Sequence, residues 1–116
     1  MFRRFSLALV IGLLAAHSAS AMSVRELRTL EKTEKQGDVH ALYYLVGALE
    51  GALEAQAKQV RLGATPSFCP LERRLEPRMA RELFDTELRR QAELYEADMP
   101  APLVLLNALG TVYPCN

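Results

Sequence analysis

The two cysteines, Cys69 and Cys115, constrain this chain most, and the residues at its start decide what they can do. Arg3 and Arg4 precede an almost uninterrupted apolar run from Phe5 to Ala16, followed by the small-residue box Ala19-Ser20-Ala21. A positive start, about a dozen apolar residues and an A-x-A box make a secretory signal removed on export. A spanning helix needs ~20 apolar residues, so residues 1–21 read as a signal peptide cut after Ala21 rather than as an anchor. No cysteine lies near the cut, which argues against a lipoprotein. In an exported chain an even cysteine count reads as a disulfide. The one intramolecular pairing, Cys69 with Cys115, closes a loop of about 46 residues and contributes about 4 kcal/mol in the chain-entropy model. Two free thiols, or a bridge between chains, are the competing readings.

The remaining 95 residues, 22–116, suffice for one domain of marginal stability. They carry 12 basic and 14 acidic side chains, a formal charge of −2. With no basic stripe, neither nucleic acid nor an anionic membrane surface is the expected partner.

Helical periodicity dominates, and no strand pattern competes with it. Ser23-Val24-Arg25-Glu26 is a capping box that opens a short helix running to about Gln36, with Gly37 as its left-handed stop. Asp38 is the expected cap of a second helix reaching about Leu62, with Gly63 ending it. Its apolar face is Val39, Leu42, Val46, Leu49, Leu53 and Val60. Tyr44 borders that face, and Gly47, Gly51 and Ala55 form a line of small residues at steps of four. Interior helical glycine costs about 1 kcal/mol, so the line implies close packing, inside the domain or at a dimer seam. A third helix starts near Pro77 and buries Met79, Leu83, Phe84 and Leu88. Gln91 to Asp98 reads as a loop, and Asp98 as the cap of a fourth helix that is apolar nearly all round from Leu103 to Val112. The expected fold is all-α: a compact bundle of about four helices closed by one disulfide.

Little in the mature chain suggests chemistry. Its one histidine, His40, stands in a first helical turn, and with both cysteines bridged neither a zinc set nor a cysteine nucleophile can be assembled. No Gly-x-Ser-x-Gly elbow or phosphate-cradling glycine loop occurs. No catalytic residue, metal ligand or cofactor site is therefore assigned. The charge runs Glu72-Arg73-Arg74 and Arg89-Arg90 read as solvated surface.

Tyr44-Leu45-Val46-Gly47 followed by Gly51, then Phe68-Cys69-Pro70, Ala108-Leu109 and the closing Tyr113-Pro114-Cys115, resembles the Rap/Tai immunity-protein family. The resemblance spans about residues 38 to 115. Relatives carry a further cysteine where Ala41 or Leu42 stands here, so a second bridge is not expected. The resemblance implies a helical, often dimeric, periplasmic protein that neutralises a toxin delivered by type VI secretion. In the amidase-immunity branch the toxin is a peptidoglycan amidase, blocked by a loop that occludes its cleft. On that pattern Gln91 to Asp98 is the expected inserting loop, with Tyr95 as anchor and Glu96 and Asp98 beside it. The alternative is a periplasmic acid-stress chaperone, or an envelope-binding protein with another target.

Overall fold

The computed structural model describes residues 20–70 and 75–116 of the chain. The signal run Phe5 to Ala16 and the Glu72-Arg73-Arg74 cluster lie outside them. Four helices make up the regular structure of the described residues: α1 (Val24–Thr33), α2 (Gly37–Arg61), α3 (Met79–Arg90) and α4 (Ala101–Val112).

Helix α1 starts where local chemistry demands. The Ser23 hydroxyl accepts from the Glu26 amide at 3.1 Å, while the Glu26 carboxylate accepts from the Ser23 amide at 2.7 Å. That reciprocal box satisfies two of the four orphan amides of the first turn. The helix ends at Thr33, before the expected Gln36, because the chain turns through Gln36 itself, at φ 61°. Gly37 is thus no helix stop; it is the first residue of α2 and is buried. A Cβ there would lie 1.9 Å from the Leu30 carbonyl oxygen, so glycine is required for close approach of α1 and α2 rather than for a positive φ. Asp38 falls inside α2, and no side chain caps that helix. At the other end Gly63 does take the left-handed conformation, φ 96°.

The buried face of α2 is Ala41, Leu45 and Leu49, one residue every four. It is rotated from the face drawn from the large apolar residues: Leu49 belongs to both, but Val39 and Val60 are exposed. The rotation puts Gly37 and Ala41 at the α1 contact. Leu27 of α1 is fully buried.

Helix α3 supplies Ala80, Leu83 and Phe84 to the core, with Met79 and Leu88 partly buried at its edge. Helix α4 supplies Val104, Leu105, Ala108 and Leu109. It is not buried all round, since Leu103, Leu106 and Val112 remain exposed. Asp98 does not cap α4; Pro100 holds that position, and the Asp98 carboxylate pairs with Arg25 at 2.6 Å.

The Cys69–Cys115 disulfide is formed, with Cα atoms 5.0 Å apart across a separation of 46 residues. It ties the segment after α2 to the end of α4. The Cys69 amide donates to the Tyr113 carbonyl at 2.7 Å, and Phe68 and Tyr113 are buried beside the bridge. Gln56 of α2 fixes the approach to it: its side chain accepts from the Ser67 and Phe68 amides and donates to the Phe68 carbonyl.

Candidate functional site

Two features stand out beyond the core: an ion network on one side and an apolar groove on the other. In the network, Arg28 of α1 reaches Asp85 of α3 at 3.1 Å and Glu31 at 3.0 Å, and Arg81 of α3 also pairs with Glu31. The Arg28 guanidinium lies 5.4 Å from the centre of the buried Phe84 ring, within cation–π reach. Burial pushes the Glu31 carboxyl up, but hydrogen bonds and charge from Arg81 and Arg28 outweigh it and hold the group below its ordinary value. Every charge in this network has a partner, so it reads as a clamp between α1 and α3.

The groove lies between α2 and α4 and has a volume of about 1000 Å³. Its floor is shallow side chains of α2, including Gly51, Ala52 and Ala55, together with Leu105 of α4. Its rim is Val60, Leu94, Leu103 and Leu106, each exposed by 39% or more. Four of the eight exposed large apolar residues thus gather in one place, which a surface of isolated apolar side chains would not give. The polar groups around it are neutral amides and hydroxyls, among them Gln59, Gln91 and Asn107. Among the described residues the only ionisable lining residue is Glu87, which is 2% exposed and already engaged.

Glu87 and the loop above it explain the groove's shape. One Glu87 oxygen accepts from the Tyr95 hydroxyl at 2.7 Å, and the other from Arg90 at 2.9 Å. Asn107 of α4 donates to the same tyrosine oxygen at 3.1 Å. Burial first, and then the hydrogen bond to Glu87, raises the Tyr95 phenol above its ordinary range. The network staples the Gln91–Asp98 loop to α3 and α4.

Gln91 to Asp98 is a loop, as expected, but Tyr95 is not a protruding anchor: it is half-buried, with its hydroxyl committed inward. The large apolar residue the loop exposes is Leu94, at 56%. Glu96 is exposed, and Asp98 is held by Arg25. Tyr44 accepts from the Met22 amide at 2.9 Å. Gly47 and Gly51 have open space where a Cβ would stand. Their line is therefore not tightly packed within the chain, and Gly51 instead forms groove floor. His40 is exposed. Among the described residues no group of three or more His, Cys, Asp or Glu could hold a metal, and no helix is long and apolar enough to cross a membrane.

Sequence reasoning missed Leu94, Leu103 and Leu106 as one surface. The all-round apolarity of α4 held the signal, because a helix with neighbours on one side only must leave such residues outside. Compared with family models, with curated proteins and with solved structures, the chain matches none.

Proposed function

We propose that this protein is a periplasmic immunity protein that binds a toxin delivered by type VI secretion, in the most specific form a peptidoglycan amidase, and blocks its active-site cleft. The observation that carries the reading is the preformed apolar groove between α2 and α4 beside a stapled loop. Grooves of this size, apolar with a few polar groups at the edge, are where partners and ligands are held, and rigid presentation lowers the entropic cost of binding. The occupant is an apolar, uncharged segment of the toxin: the described rim offers amides and hydroxyls, and the Glu87 carboxylate is buried and turned toward Tyr95 and Arg90. With that segment seated, the neighbouring loop, through Leu94 and Glu96, is brought against the toxin's cleft. The resemblance to Rap/Tai proteins supports the same reading, as does a disulfide suited to an oxidising compartment.

One observation favours the acid-stress chaperone instead: the α1–α3 clamp depends on an ionised Glu31 and weakens in acid. Co-expression separates the two. The product of the neighbouring gene, tested as the toxin, is expected to lyse cells alone, to be neutralised by this protein, and to co-purify with it at neutral pH. Suppressed aggregation of unrelated proteins near pH 3, with no neutralisation at neutral pH, would reverse the choice.

A further inference from the structure

Among the described residues, hydrogen bonds to the rest of the fold begin at Met22. Ser20 and Ala21 are exposed and outside any helix. The Met22 amide nitrogen lies 2.9 Å from the Tyr44 hydroxyl, and the Met22 carbonyl accepts from the Ala101 amide at 2.9 Å. The next rungs follow at once: Val24 donates to the Met99 carbonyl and Arg25 to the Ala97 carbonyl, both at 2.9 Å. Residues 22–25 thus form a ladder along the segment that leads into α4, and the Met22 nitrogen, bonded separately to Tyr44 of α2, is the atom that cleavage after Ala21 would convert to an amine. Ser20 and Ala21, the described residues before Met22, take no part in it.

We infer that the amine released by the cut after Ala21, which the sequence already implies, is a structural group of the mature protein, seated on the Tyr44 hydroxyl. Hydrolysis adds water across the bond: the Ala21 carbonyl carbon takes the hydroxyl and the Met22 nitrogen takes water's remaining proton, and at neutral pH the new carboxylic acid gives up its proton as the amine takes up a second one, leaving a carboxylate and an ammonium. The ammonium keeps the amide's position and donates to the same tyrosine oxygen. A charge-assisted bond replaces a neutral one, and such bonds are about twice as strong. Cleavage therefore leaves no overhang and tightens the bond that ties Met22 to Tyr44 of α2. The inference is independent of any toxin, and its failure would leave the groove reading untouched.

The test uses the full 116-residue chain exported from a Gram-negative host. Intact mass and terminal sequencing are expected to find Met22 first. Labelling of the α-amine at neutral pH is expected to run about five-fold slower in native protein than in urea, the fold-change for about 1 kcal/mol of hydrogen bond. Tyr44→Phe should keep the same terminus and remove most of that protection. A terminus at any other residue, or equal labelling rates in native and unfolded wild-type protein, would overturn the assignment. The second comparison does not depend on how the variant folds.

Discussion

The Tyr95 hydroxyl lies 2.7 Å from a carboxylate oxygen of Glu87, a side chain only 2% exposed. A carboxylate buried that deeply is costly unless its oxygens are satisfied, and this one has Tyr95 on one oxygen and Arg90 on the other. Tyr95→Phe removes a donor while keeping the ring. It is expected to destabilise the fold by about 1–3 kcal/mol, the cost of an orphaned buried acceptor, read from urea unfolding midpoints. The phenol itself is raised, so its contribution is complete below the ordinary tyrosine value of 10.0 and is lost as pH rises through the folded value. Spectroscopic titration should show the Tyr95 phenol ionising at higher pH in the folded protein than in urea.

The α1–α3 clamp sets the response to acid. The folded Glu31 carboxyl titrates below its ordinary value of 4.5, so its stabilising contribution is present above that value and disappears as pH falls through the folded one. Glu31→Gln should therefore cost stability at pH 7 and progressively less as pH falls through the folded Glu31 value, where wild type loses the same charge. Urea midpoints for both proteins across that range check the sign. A gap that widens in acid would contradict it.

Two glycines on α2 are expected to respond in opposite directions. Gly37→Ala drives a methyl group into the Leu30 carbonyl, a backbone atom that cannot move without separating α1 from α2. A loss of several kcal/mol, or failure to fold, is expected. Gly47→Ala meets nothing within 4 Å and should stabilise by about 0.5–1 kcal/mol through helix propensity and a less flexible unfolded chain. Thermal unfolding of both variants is the check.

These glycines mark where the sequence was readable. The Ser23–Glu26 box and the Gly63 stop are local devices, complete within a few residues, and both form as the sequence implies. So do the order of the four helices and the Cys69–Cys115 bridge, since periodicity and an even cysteine count need no knowledge of neighbours. Gly37, Asp98 and Tyr95 misled because each is decided by a residue far along the chain or by a helix crossing: Gly37 by the approach of α1, Asp98 by Arg25, and Tyr95 by Glu87 and Asn107. The α2 face rotated for a related reason. Small residues let α1 pack closely on Gly37 and Ala41, and that contact outweighed the burial of Val39 and Val60. The groove was written in the sequence only as surplus apolarity in α4 and small residues in α2, and no local pattern joins them.

The disulfide should matter more than any single core contact outside Phe84. Cys69→Ser with Cys115→Ser frees a loop whose ends are 46 residues apart, at a cost of about 4 kcal/mol. Reduction of the wild-type protein should lower its thermal midpoint to that of the double variant. Equal midpoints for oxidised wild type and the double variant would contradict this.

The central claim is that the α2/α4 groove is the recognition surface. Leu94 and Leu106 are 56% and 43% exposed, so Leu94→Asp with Leu106→Asp should change folding stability by less than about 1 kcal/mol. Calorimetric titration into the toxin encoded by the neighbouring gene is expected to show at least about 30-fold weaker binding for the double variant, the loss of about 2 kcal/mol that defines an interface hot spot. Binding as tight as wild type, by a variant of unchanged thermal midpoint, would contradict the account.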